Sequence, residues 1–234
     1  NSDGLPPIEI ESREIRDDYA YDMPIASAQV KSSILLAGVA SNTKVSIFEP
    51  SITRDHTELM LKHFGLNIKS EEENDGKRIT FIPGNNFLVK DYFVVGDFSS
   101  AAFLIIAGLI ADDSEIFIKN VGLNPTRSGL IDILIEMGGN IEIKNKKMLS
   151  GELVGDVFVK SSVLSGVNIN GGIISNIIDE IPILSIAAAC ANGTTRISDA
   201  KELRVKESDR LEAIGSGLSR LKVKHELFED GISI

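Results

Sequence analysis

The sequence predicts an α/β (α+β) chain built from repeats of strand–helix–strand–helix–strand–strand. Sheets should lie outside and helices inside, with no central barrel of parallel strands. Three observations predict this. Apolar runs of helical length alternate with short strand-like runs bounded by Gly, Pro and Asn. The same order of elements recurs three times along the chain. The first helix of a copy is apolar nearly all the way round, as expected of a helix packed among others.

Residues 5–10 and 13–17 read as strand or turn, and 27–40 as the first apolar helix, with Ser27 as its N-cap candidate. A strand at 45–48 follows, then a helix at 55–64 that Gly65 can end. Strands lie near 66–70 and 78–82, and Pro83-Gly84-Asn85-Asn86 is a turn. The second copy begins with an extended stretch at 87–95 and an apolar helix at 99–111. It continues with a strand at 115–119, a helix at 128–137 capped by Gly138-Gly139, and strands near 140–144 and 156–160. Arg127 and Gly138 repeat the places of Arg54 and Gly65 at one common offset, and His-Phe-Gly-Leu-Asn-Ile is echoed by Glu-Met-Gly-Gly-Asn-Ile. The third copy is displaced by a Ser/Gly/Asn-rich insertion around 161–174. It reads as helix 180–191, strand 194–198, helix 206–221, strand 223–227 and the start of another strand at 231–234. Domains are accordingly expected at 1–86 (one repeat) and 87–234 (two repeats, 87–160 and 161–234).

The chain of 234 residues is 43% hydrophobic and 25% charged, enough for a substantial core. Its formal net charge of −10 argues against non-specific nucleic-acid binding, though a local cationic pocket can still take an anionic small molecule. One cysteine excludes an intramolecular disulfide and a cysteine-rich metal site. The longest apolar run, 101–111, is too short to span a bilayer, and no signal peptide is visible. The start at Asn1 and the strand-like end suggest a trimmed or partial chain.

The chemistry concentrates at 199–221. Leu211, Ile214, Leu218 and Leu221 form one helical stripe, and Glu207, four residues before Leu211, extends it inward. Lys206 and Arg210 fall one turn apart on the adjoining face. Two cations and an inward acid at a helix start suit an anionic ligand that exchanges a proton. The same residues also make an ordinary amphipathic helix with a charged first turn. His56 and His63 are not spaced as a metal pair and read as solvated or capping. Cys190, among alanines, reads as core.

Six motifs then occur in order: Ser27-Ala28-Gln29-Val30-Lys31-Ser32, Arg54-Asp55-His56-Thr57-Glu58, Gly96-Asp97-Phe98-Ser99-Ser100-Ala101-Ala102-Phe103, Asn124-Pro125-Thr126-Arg127, Asp179-Glu180-Ile181-Pro182 and Arg204-Val205-Lys206-Glu207-Ser208-Asp209-Arg210. Together they closely resemble the 5-enolpyruvylshikimate-3-phosphate synthases of the bacterial kind, over essentially the whole chain. The resemblance implies the enolpyruvyl transferase fold, an inside-out α/β barrel of βαβαββ repeats, six in two domains, with the active site in the cleft between them. Three repeats are present here. It also implies transfer of the enolpyruvyl group of phosphoenolpyruvate to the 5-hydroxyl of shikimate 3-phosphate, with release of phosphate. That reaction belongs to the shikimate pathway, toward chorismate and the aromatic amino acids, and glyphosate competes with phosphoenolpyruvate in this family.

Carried over by motif, the resemblance gives Ser27, Ala28, Gln29, Arg54, Asp179 and Lys206 to shikimate 3-phosphate, and Gln29 and Arg210 to phosphoenolpyruvate. Asp179 is implied to take the proton of the 5-hydroxyl, and Glu207 to protonate the methylene carbon. Ser27 can equally be a plain N-cap, Arg54 a surface arginine and Asp179 an N-terminal helix charge. Addition of the 5-oxygen to C2 and protonation at C3 would give a tetrahedral intermediate that loses phosphate. No metal or organic cofactor is expected, nor a nucleic-acid or membrane partner. The location implied is cytoplasmic and the full-length state monomeric. The family's Lys-Ser substrate motif, Gly-Asn-rich loop, Asp-His-Arg motif and late lysine are not in this sequence, so these residues alone are expected to be inactive. UDP-N-acetylglucosamine enolpyruvyl transferase is the enzymatic rival, but Cys190 lies in no Gly-rich loop and Asp-Glu-Ile-Pro favours the shikimate enzyme. A non-catalytic repeat module is the second alternative.

Overall fold

The computed structural model describes residues 9, 18–84, 87–206 and 208–234. The sequence readings at 5–8, 10, 13–17, 85–86 and Glu207 lie outside these. The chain forms two compact units, Asn1–Ile52 with Phe64–Leu88, and Thr53–His63 with Val89–Ile234. Residues 53–63, which the repeat registration counts in the first copy, group with the second unit.

In the first unit, β1 (Tyr19–Asp22), β2 (Val45–Glu49), β3 (Asn67–Glu73) and β4 (Gly76–Ile82) form one sheet in the order β1-β2-β4-β3. β1 pairs parallel to β2, and the other pairs are antiparallel. Alternation along β2 sends Val45, Ile47 and Glu49 inward. Helix α1 (Ala28–Ser41) packs on the sheet; Ser27 caps it by accepting a hydrogen bond from the Val30 N–H at 3.3 Å. Within this unit α1 buries only Lys31, Leu35 and Gly38, a stripe at steps of four and three, and leaves Val30 and Leu36 exposed. Lys31 and Glu49, both fully buried, form an ion pair at 2.9 Å.

The second unit holds the helices α2 (His56–His63), α3 (Phe98–Ile110), α4 (Gly129–Glu136), α5 (Ile173–Ile177), α6 (Ile181–Ala189) and α7 (Arg210–Arg220). It has two sheets. One is β5-β7-β6, from β5 (Glu115–Gly122), β6 (Asn140–Leu149) and β7 (Glu152–Lys160). The other is β10-β11-β9-β8, from β8 (Asn168–Ile169), β9 (Arg196–Ile197), β10 (Glu226–Leu227) and β11 (Ile232–Ser233). Among the described residues no sheet closes on itself. A single apolar cluster runs from Phe98 to Ile234 and joins the helices to both sheets. α3 packs on α6 and on β5 and β7, which makes it the centre of the unit.

Strands 140–144 and 156–160 extend into a full hairpin. Ser150 and Gly151 take φ of 51° and 86°, the left-handed pair that a two-residue hairpin turn requires. A Cβ at Gly151 would stand 3.1 Å from the Leu59 carbonyl oxygen, so the turn seats closely on α2. The insertion at 161–174 is not a plain loop, because it contributes β8 and the start of α5.

The largest correction concerns the last helix. It begins at Arg210, because the Asp209 side chain accepts the Glu212 N–H at 3.0 Å while its own backbone is extended. A 3₁₀ turn, Lys201–Arg204, precedes it. Arg204 ties this turn to Asp209 at 2.9 Å and to the Glu229 carbonyl at 2.7 Å. Lys206 is therefore not in the first turn of a helix, and the stripe begins at Leu211, which is buried with Ile214 and Leu218. Leu221, its expected end, is exposed. Cys190 is exposed rather than core, because it is the C-cap of α6 and lies beyond the face that buries Leu184, Ala187 and Ala188.

Candidate functional site

Asp179 lies in the turn between α5 and α6 and does not cap the helix that follows; α6 starts after Glu180 with no side-chain cap. Its carboxylate instead accepts hydrogen bonds from three arginines. Arg127 Nη1 donates to Oδ2 at 2.9 Å, Arg210 Nη1 to Oδ1 at 3.0 Å and Arg54 Nη1 to Oδ2 at 3.3 Å. Burial pushes the Asp179 carboxyl up, but the hydrogen bonds from Arg210 and Arg127 and the charge of Arg54 outweigh it and hold the group below the ordinary aspartate value.

The three arginines occupy related places. Arg54 and Arg127 each lie two residues before a short helix, α2 and α4, and Arg210 is the first residue of α7. These are the second helices of the three repeats. The repeat thus delivers one cation from each copy to one carboxylate. The cluster carries an excess of cations on a chain whose formal net charge is −10.

Beneath it lies Glu180, whose side chain is buried. Ser99 Oγ donates to Glu180 Oε1 at 2.5 Å, and Arg127 Nη2 reaches the same oxygen at 3.2 Å and also Ser99 Oγ. Glu180 Oε2 has no hydrogen-bond partner among the described residues. Burial pushes the Glu180 carboxyl up; its bonds to Ser99 and Arg127 only partly offset this, and Asp179 and Asp97 add to it. Ser99 is placed by the start of α3, where Asp97 caps by accepting from the Ser100 N–H at 2.7 Å. Gly96 allows that start to lie against β5. A Cβ there would stand 2.7 Å from the Asn120 carbonyl oxygen, to which the Gly96 N–H donates at 2.9 Å.

A second network holds the segments that carry Arg54 and Arg127. His56 Nδ1 and Glu152 Oε1 are 2.6 Å apart, and Asn124 Nδ2 donates to Asp55 Oδ1 at 2.7 Å and Glu152 Oε2 at 3.2 Å. Asn124 Oδ1 accepts from the Thr126 N–H at 2.9 Å, which closes the turn before Arg127. Burial raises the Glu152 carboxyl, but the His56 bond and charge and the Asn124 amide bring it below the ordinary glutamate value. His56 is thus solvated, as expected, and in addition a partner of a buried carboxylate. His63 lies edge-on to the Tyr92 ring at 5.7 Å and 3.2 Å from the Asp91 carbonyl oxygen. A cavity of about 170 Å³ is lined by His56, Asp97, Asn124, Arg127 and Glu152.

The structure therefore gathers Arg54, Asp179 and Arg210 of the sequence-predicted set. Lys206 is engaged elsewhere, with its ammonium on Glu202. Ser27, Ala28 and Gln29 stand at the N-terminus of α1 in the first unit, where Ser27 acts as the cap. Arg127, Ser99 and Glu180 were not predicted as site residues. The equal offset of Arg54 and Arg127 in the repeat was the signal for the first of them.

A family model described as EPSP synthase (3-phosphoshikimate 1-carboxyvinyltransferase) matches residues 1–234. A 3-phosphoshikimate 1-carboxyvinyltransferase of Thermoanaerobacter sp. (strain X514) is 45% identical over 228 residues, which is 97% of this chain and 53% of the relative. Its counterpart in Salinibacter ruber is 44% identical over 234 residues, 100% of this chain and 50% of the relative. Among solved structures, an EPSP synthase from Acinetobacter baumannii superposes with a TM-score of 0.87 at 38% identity, covering 100% of this chain and 52% of that one. The enolpyruvyl transferase NikO from Streptomyces tendae shares the fold, with a TM-score of 0.66 at 17% identity over 95% of this chain and 51% of its own. The chain spans about half the length of the curated relatives it matches.

Proposed function

This chain belongs to the EPSP synthase family, and from that premise we propose that it carries part of the site that moves the enolpyruvyl group of phosphoenolpyruvate to the 5-hydroxyl of shikimate 3-phosphate, releasing phosphate. The observation that carries this reading is the convergence of Arg54, Arg127 and Arg210 on Asp179. Both substrates are anions, and partly exposed guanidiniums are suited to bidentate contacts with phosphate and carboxylate.

In this reading Arg54 and Lys206 bind shikimate 3-phosphate, together with Ser27, Ala28 and Gln29. Gln29 and Arg210 bind phosphoenolpyruvate. Asp179 takes the proton of the attacking hydroxyl, and Glu207 protonates the methylene carbon. At rest Asp179 is a weak base, because its three arginines favour its charged form. When substrate anions take up Arg54 and Arg210, Asp179 loses part of that stabilisation and gains basicity at the moment the hydroxyl arrives. The motif requires neither a metal nor an organic cofactor. Residues 1–86 would correspond to one repeat of the first family domain and 87–234 to two repeats of the second. The cytoplasm fits an enzyme of biosynthesis, and among the described residues no helix is long and apolar enough to cross a membrane.

Calorimetric titration of shikimate 3-phosphate into the chain tests the reading. Binding is expected, weakened at least about tenfold by Arg54→Ala or Lys206→Ala through loss of a charge-assisted contact. Absence of binding at millimolar ligand would overturn the assignment of these residues to that substrate and favour a non-catalytic repeat module.

A further inference from the structure

The three arginines on Asp179 are not equivalent. Arg54 and Arg210 have side chains 41% and 26% exposed, whereas Arg127 is only 11% exposed. Arg127 is also tied to more than Asp179. Nη1 holds Asp179, and Nη2 is fastened to Ser99 Oγ and to Glu180 Oε1. Those anchors are themselves fixed: Ser99 by the capped start of α3, Glu180 by its burial at the start of α6. The backbone of Arg127 is tied down as well, its N–H donating to the Asn124 carbonyl oxygen at 2.8 Å. A guanidinium held by Asp179 at one nitrogen and by Ser99 and the buried Glu180 at the other cannot turn to an incoming anion without taking its charge away from the Glu180 carboxylate in a dry site, which is costly.

We propose that Arg127 is the positioning residue of Asp179, clamped by Ser99 and Glu180 so that the carboxylate keeps its aim. The role given to Asp179 rests on the proposed function; the clamp itself does not. The charged groups facing Asp179 are Arg54 ahead of α2, Arg127 ahead of α4, Arg210 on α7 and, through Arg127, Glu180 at α6.

The test is a carbon-detected NMR titration of the Asp179 carboxyl in the whole chain, wild type against Arg127→Gln and Arg127→Lys. Removing a cation in direct contact should raise the Asp179 midpoint by about one to three pH units in Arg127→Gln. Arg127→Lys, which keeps the charge and loses the fork, should fall between that and wild type. Ser99→Ala, which frees one anchor without changing charge, should broaden or split the Asp179 signal with a smaller shift. A residue that served only to hold the fold would lower the melting temperature and leave the midpoint where it was; that result in folded Arg127→Lys and Ser99→Ala would overturn the proposal even if Arg127→Gln failed to fold. Because the readout needs no substrate, failure of the enolpyruvyl reading would leave this titration unchanged and show itself in the calorimetry alone.

Discussion

Two ion-pair sites in this molecule are built on opposite principles. In the first unit, Lys31 and Glu49 meet at 2.9 Å with side chains 0% and 1% exposed. Water is shut out of both. In the second unit, Asp179 is a quarter exposed and accepts from three arginines of graded exposure. The first arrangement is sealed, as suits a pair that orients α1 on its sheet. The second shares Arg127 between Asp179 and Glu180 and opens to solvent at Arg54 and Arg210.

The sharpest way to break the comparison is Lys31→Ala. It deprives the buried Glu49 carboxylate of its ammonium and should destabilise the first unit by about 3–5 kcal/mol, read from urea unfolding. Replacing both residues by apolar ones of similar volume should recover most of that loss. Arg54→Ala should instead cost less than about 1 kcal/mol, since a pair with an exposed arginine adds little, while the affinity for anions falls. Equal losses at both sites would abolish the distinction between a sealed pair and an open one.

A subtler effect separates the neighbours Asp179 and Glu180, whose carboxyls shift in opposite directions. A lowered folded value means that the unfolded chain binds the proton more tightly. The stability from Asp179 is therefore present above the unfolded aspartate value and is lost as pH falls through the folded one. A raised folded value reverses the sign, so Glu180 costs stability as pH rises from the unfolded glutamate value through its own. Asp179→Asn should flatten the acid limb of the stability profile, and Glu180→Gln should flatten the fall on its alkaline side. Parallel changes in the two variants would mean that the pair titrates as one unit.

Much of this was legible in the sequence, for identifiable reasons. Ser27 at the head of an apolar run and Gly65 and Gly138 after helical ones mark the ends of elements, and they behave so: Ser27 caps, and the glycines take φ of 83° and 96°. The six motifs identified the family, and the placement of Arg54, Asp179 and Arg210 came with them. Periodicity misled at 206–210. A stripe extrapolated back from Leu211 runs straight through Asp209, but a side-chain oxygen that caps the backbone ends a helix whatever the pattern upstream. It misled again at Cys190, where an alanine-rich neighbourhood says nothing about which side of a helix end meets solvent.

Local pattern and repeat thus carry the elements, their order, the family and Arg54 and Arg127 as equivalent positions, because these depend on neighbours three, four or one repeat apart in the chain. That the arginines share one carboxylate could come only from tertiary structure. So could the buried Glu180 with Ser99 that locks one of them, and the Glu152 that holds His56. Those contacts join residues 81, 96 and 125 positions apart. Over such separations nothing in the local pattern specifies a partner; packing α3, α4, α6 and α7 about one apolar cluster does.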